Sequence, residues 1–178
     1  MTRTRYRFLP DDPAPYFVTA TTVNWLPLFS NPEITCILID SLQFLINQQR
    51  MKLFAYVIME NHLHLIASGE DLSRDIGSFK SFTARKCILY YQKNNSRSIL
   101  EQLAFQKSDY KIDRYYQFWQ EGSHPQRIID EKVLRQKVEY IYNNPVRRGY
   151  IDLAEHWRYS SARNYADMEG ILPISWEF

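Results

Sequence analysis

The chain has 178 residues, 45% of them hydrophobic, enough for a packed core and suggestive of one domain. Its formal net charge of +2 excludes a protein that is basic overall, and no apolar stretch approaches membrane-spanning length. Cys36 and Cys87 each sit in an apolar or helical segment and read as small buried residues, not as a disulfide framework or a zinc site. The start, Met1-Thr2-Arg3-Thr4-Arg5, leads into aromatic and acidic residues rather than the apolar core of a signal peptide, so a cytoplasmic protein is expected.

Residues 1–15 are basic, then proline-rich, and are expected to be irregular. Residues 16–23 are β-branched and aromatic, which suits a first strand. Ser30 or Asn31 caps a helix with Pro32 in its first turn, running to about Gln49 on the stripe Ile34, Leu38, Leu42 and Leu45. The apolar run 52–59 predicts a second strand, and 62–67 a third beside it. A second helix is expected from Asp71 to about Lys93, with Leu72, Ile76, Phe79, Thr83, Cys87 and Tyr90 facing inward. Residues 94–113 read as a polar loop with a helical turn near 99–105, and 114–119 as another strand broken by residues 122–125. A third long helix follows from about residue 128 or 130 and stops at Asn143, because the residue before Pro145 avoids helical geometry. Residues 157–162 suggest a short helix folded back on the sheet. The simplest solution for this order is an α+β fold, with an antiparallel sheet and helices packed on one side.

Two features carry chemistry. The stretch Asn61-His62-Leu63-His64-Leu65 alternates, so a strand places His62 and His64 on one face and the leucines on the other. Two adjacent imidazoles can ligate one metal ion, although the same pattern also describes the polar face of an ordinary amphipathic strand. On the third long helix, Leu134, Val138 and Ile141 form the core stripe, and Tyr140 and Tyr142 fall on its two flanks. Position does not choose between the tyrosines. Spacing distinguishes them: Tyr140 has a polar, ligand-capable neighbour one turn on, Asn144, whereas the residue four past Tyr142 is Val146, beyond the proline. Basic residues cluster at Arg3, Arg5 and Arg7, at Lys80, Arg85 and Lys86, and at Arg147 and Arg148. On the second helix, Arg74, Ser78, Ser81 and Arg85 make a face of cations and hydroxyls suited to phosphate.

The segments N-H-L-H-L-I, Y-I-Y-N-N-P-V-R-R-G-Y and W-R-Y-S-S-A-R-N-Y, in that order, resemble the HUH single-tyrosine transposases, most closely the REP-associated tyrosine transposases, over about residues 16–166. The resemblance implies one HUH transposase-like domain over 1–178, with a basic N-terminal arm at 1–15, a core at 16–145 and a tail at 146–178. It implies a central antiparallel sheet, a ferredoxin/RRM-like βαββαβ core, with flanking helices and a C-terminal helix carrying the nucleophile. Carried over by position, the metal ligands fall on His62, His64 and Asn144, and the nucleophilic tyrosine on Tyr140. One departure is Glu60, where the family usually has proline.

The activity implied is metal-assisted cleavage and rejoining of single-stranded or hairpin DNA through a 5′-phosphotyrosine, with Mg2+ or Mn2+ as the ion. DNA contacts would fall on Arg3, Arg5, Arg7, Lys80, Arg85, Lys86, Arg147 and Arg148, in a monomer or homodimer. The alternatives are a catalytically silent hairpin-binding protein of the same fold and a metal-dependent nuclease that uses water.

Overall fold

The computed structural model describes residues 7–9, 12–107 and 115–176. Four strands, β1 (Tyr16–Thr21), β2 (Lys52–Ile58), β3 (His62–Ser68) and the two-residue β4 (Gln126–Arg127), form one sheet in the order β2-β3-β1-β4, with every neighbouring pair antiparallel. The helices are α1 (Pro32–Asn47), α2 (Leu72–Lys93), α3 (Arg97–Phe105), α4 (Glu131–Arg147) and α5 (Ala162–Tyr165). This is the α+β, ferredoxin-like arrangement expected. Among the described residues no helix is long and apolar enough to cross a membrane.

Local chemistry sets the helix starts. The Asn31 side chain accepts from Glu33 N at 3.0 Å, ahead of Pro32 in the first turn of α1. Asp71 accepts from Arg74 N at 3.1 Å and Asp130 from Val133 N at 2.8 Å, capping α2 and α4. The α1 stripe Ile34, Leu38, Leu42 and Leu45 is buried as predicted. Cys36 is exposed rather than buried, because two residues, about 200° of helix, separate it from both Ile34 and Leu38. Cys87 is buried. The α2 stripe closes on Tyr91 instead of Tyr90, four residues after Cys87, with its hydroxyl donating to Leu28 O at 3.3 Å.

Both faces of the sheet are covered, correcting the one-sided expectation. Leu63 and Leu65 of β3 join Tyr16, Val18 and Ala20 of β1 against α1 and α2. On the reverse, Phe17, Val57 and Ile66 pack against Val138 and Ile141 of α4. Apolar residues of both parities in the strands leave two apolar faces, and each must be buried.

Three boundaries differ from expectation. Residues 115–119 are not a strand and contribute only an isolated bridge between Thr22 and Trp119. Gln117, Phe118 and Trp119 are buried in succession without alternation. Their backbone closes the end of β1, with Val23 N donating to Phe118 O at 2.8 Å. The fourth strand lies instead at Gln126–Arg127, where a loop was expected. Helix α4 runs through Pro145 to Arg147. Proline here removes one helical hydrogen bond near an end that is closed anyway, by Gly149 N on Val146 O at 2.9 Å and Tyr150 N on Pro145 O at 3.0 Å. Gly149, at φ 72°, supplies the left-handed residue that this Schellman closure needs.

After a 3-10 turn at Ala154–His156, the tail runs along the free edge of β2 rather than folding back there as a helix. Ile58 N donates to Tyr159 O at 2.8 Å and Ser161 N to Tyr56 O at 3.0 Å. Ser161 Oγ accepts from Tyr56 N at 2.9 Å, and Ser175 N donates to Leu53 O at 2.7 Å. The short α5 follows.

Candidate active site

His62 and His64 project from β3 onto the face covered by α4, with their rings 4.8 Å apart, and both are buried. Opposite them on β1 stand Thr21 and Thr19. Asn61 Nδ2 donates to Trp25 O at 3.3 Å, which leaves Oδ1 to accept from His62 Nδ1 at 2.7 Å. The proton is thus on Nδ1, and His62 Nε2 carries a lone pair. His64 Nδ1 lies 2.8 Å from Thr19 Oγ1. When that hydroxyl accepts, Nε2 of His64 is likewise a free lone pair.

Burial, and then the charge of Arg148, pushes His62 down to about 4. Burial, followed by His62, Lys137 and Arg148, pushes His64 down to about 3. Both rings are therefore neutral at pH 7, the state in which imidazole binds a metal.

Helix α4 brings the second half. The Tyr140 ring lies 5.3 Å from that of His64 and 5.8 Å, edge-on, from Phe17. Phe17 also stacks on His64 at 5.1 Å, so one ring spaces imidazole and phenol. Tyr140 remains 37% exposed, open to a substrate. Tyr142 instead packs on Tyr165 at 5.0 Å, and burial raises its phenol above the usual range. Asn144 is buried one turn beyond Tyr140. The Arg147 guanidinium lies 5.7 Å from the centre of the Tyr140 ring, and Lys137 Nζ 4.5 Å from that of Phe17. Burial holds Lys137 below the ordinary lysine range.

Glu60, in the β2–β3 turn, accepts from Arg148 Nη1 at 2.5 Å. This pair ties the hairpin that carries the histidines to the end of the helix that carries Tyr140.

The remaining cationic residues are elsewhere. Lys80 donates to Gln120 O at 2.9 Å and Gly122 O at 2.5 Å, pinning a loop. Arg85 and Lys86 lie on α2, in the layer behind the sheet, with Lys86 Nζ 5.5 Å from the Phe82 ring. Arg7 is exposed and precedes Phe8, which packs on Tyr16, at the end of β1 away from the histidines. Arg3 and Arg5 lie outside the described residues.

Sequence reasoning missed Thr19, Asn61, Phe17 and Trp25, the last 6.0 Å from His62. Parity within β1 could have placed Phe17 and Thr19 on one face. Their pairing with the histidines depends on strand register, which parity does not give.

Among the described residues no trio of His, Cys, Asp or Glu side chains is assembled to hold a metal. The buried amide of Asn144, on the helix over this face, is an oxygen donor of the kind a cation at the histidines would need. Two neutral imidazoles plus an amide oxygen fit a divalent ion, Mn2+ somewhat better than Mg2+.

The fold matches, over 97% of this chain and 92% of the other, a REP-associated tyrosine transposase solved bound to a REP hairpin, at TM-score 0.67 and 17% identity. The chain has the REP-associated tyrosine transposase fold. A Haemophilus influenzae protein provisionally named as a REP-associated tyrosine transposase is 38% identical over 58 residues, 33% of this chain. That match spans about a third, 32%, of the curated relative's length. A Deinococcus radiodurans protein provisionally named as a transposase superposes more loosely, at TM-score 0.45 and 17% identity, over 80% of this chain and 97% of that one. No protein-family model matches the chain. Within the REP-associated tyrosine transposase fold, His62, His64 and Tyr140 share one face of the sheet.

Proposed function

We propose that this chain is a single-tyrosine DNA transposase that cleaves and rejoins single-stranded DNA, acting on hairpin-forming repeats like the one bound by its solved structural neighbour. The observation that carries the reading is the 5.3 Å approach of Tyr140, a half-open phenol on a helix, to His64 of a buried, neutral imidazole pair.

His62, His64 and Asn144 would hold Mg2+ or Mn2+, which supplies Lewis-acid polarisation of the scissile phosphate. Tyr140 Oη attacks phosphorus in line. The Oη–P bond forms, the P–O3′ bond breaks, and the phenolic proton passes to the released 3′-oxygen. The products are a 5′-phosphotyrosine and a free 3′-hydroxyl. One phosphodiester replaces another, so a second 3′-hydroxyl can reverse the step and join strands. Free tyrosine ionises near ~10. Arg147 over the Tyr140 ring and Lys137 over Phe17 place two positive charges beside the nucleophile. Arg147 flanks the site and would take a neighbouring phosphate, as would Arg148 through the guanidinium nitrogens not bound to Glu60. Buried Phe17 and half-exposed Trp25 wall the imidazoles.

A hairpin oligonucleotide labelled at its 3′ end, and so on the fragment downstream of the scissile phosphate, tests this with Mn2+. The expected product is label covalently attached to the protein and lost in Tyr140→Phe. A free 5′-phosphate without an adduct would mark a nuclease instead, and hairpin binding with neither product a silent binder.

A further inference from the structure

Helices α1 and α2 pack side by side on the sheet face away from the histidines, and their outer surfaces enclose a groove of about 970 Å3. Its walls carry two aromatic rings that the core does not need. Phe44 on α1 is 55% exposed and Phe82 on α2 43%. Arg74, Arg85 and Lys86 line the same groove, as do Ser78 and Ser81. A fourth cation, Arg50, is held by the buried Asp75, so Asp40 is the one unbridged carboxylate of the lining.

The floor is equally telling. Gly77 lies inside α2 at an ordinary helical φ, and a Cβ there would meet nothing within 4 Å. Neither backbone strain nor close packing calls for glycine, which is less stable than alanine in a helix. What glycine does provide is open space in the lining of the groove.

We propose that this groove binds single-stranded nucleic acid, as a second site on the opposite side of the sheet from Tyr140. Unpaired bases stack on Phe44 and Phe82, and the phosphates are taken by Arg74, Arg85, Lys86 and the serine hydroxyls. Stackable rings interleaved with cations are how non-specific single-strand sites are built. A net surplus of positive charge around an apolar floor favours a polyanion with π-faces over a neutral apolar ligand. The site would let one chain hold a flanking strand while the other face works on a hairpin, and it is independent of any chemistry at Tyr140.

The probe is an unstructured oligothymidylate carrying 5-iododeoxyuridine, mixed with the full chain in chelator so that no cleavage intervenes. Photocrosslinks are expected on peptides containing Phe44 and Phe82. By fluorescence anisotropy, Arg74→Glu/Arg85→Glu and Gly77→Trp should each weaken binding about tenfold or more, while Gly77→Ala keeps it. Losing two phosphate contacts should reduce the slope of log affinity against log salt by about 1.4. Crosslinks confined to peptides of α4 and β3, or affinities within about twofold of the parent chain, would overturn the proposal. So would a parent chain that proves to be a dimer which Gly77→Trp converts to a monomer, or a groove that prefers an acidic peptide to the oligonucleotide. Repeating the measurement in Tyr140→Phe should change nothing, which separates this site from the catalytic reading.

Discussion

Thr19→Val replaces a hydroxyl by a methyl of nearly the same shape. The hydroxyl is 2.8 Å from His64 Nδ1, and His64 is only 5% exposed, so no solvent takes its place. A buried donor left unpaired costs about 1–3 kcal/mol. For a chain of this size, at about 2–4 °C per kcal/mol, melting should fall by about 2–12 °C. The functional effect is separable. Without its partner the imidazole is free to turn or to change tautomer, and loss of such a supporting bond typically weakens metal binding about 10–100-fold. Calorimetric melting and Mn2+ titration on the same DNA-free sample measure both. A variant that melts with the parent chain would refute the hydrogen bond. One that melts lower but binds Mn2+ equally well would refute the orienting role.

Ile141→Ala on α4, where the side chain is fully buried, should cost about 2–5 kcal/mol and loosen the helix carrying Tyr140, read by denaturant melting and amide exchange of α4. Arg127 beside Asp12 holds its carboxyl well below the usual carboxylate range. A depressed folded pKa contributes stability above the unfolded value near ~3.9 that is lost as pH falls. Asp12→Asn should therefore be less stable at pH 7 and converge with the parent chain in acid, as urea melts across pH will show. Burial pushes the Cys87 thiol up to about 12, whereas Cys36 is exposed. Iodoacetamide at pH 8 should alkylate Cys36 alone, by peptide mass.

The parts of the fold that could be read in advance are those where one local rule decides. Asn31, one of the two candidates, caps α1, α2 starts directly after Asp71 as expected, and the α1 stripe falls on the residues its spacing named. The errors come where tertiary context overrides a local rule. Pro145 looked like a stop, but the closure at Gly149 decides where α4 ends. Residues 115–119 have strand composition, yet their polar backbone groups are satisfied by capping β1, and two residues with no strand signature take the edge instead. The His62/His64 face was legible because period two is local. That Tyr142 is packed away while Tyr140 stays partly exposed was not legible from the helix alone. The i+4 spacing to Asn144 favoured Tyr140, but the packing of Tyr142 on Tyr165 joins residues of two different helices. The Glu60–Arg148 pair spans 88 positions, and no pattern in either segment announces it.

The tail along β2 bears on how a second molecule could meet this one. An open sheet edge offers a row of unpaired N–H and C=O groups that invites another strand. Here those groups at Leu53, Tyr56 and Ile58 are already taken by residues 159–175 of the same chain. Extension of the sheet into a neighbour at that side would first require the tail to be stripped away. A second copy would therefore meet this one across helices or beside the short β4. Deleting the tail, by contrast, would expose a long apolar strand edge and should promote self-association, as sedimentation of the two chains side by side will show.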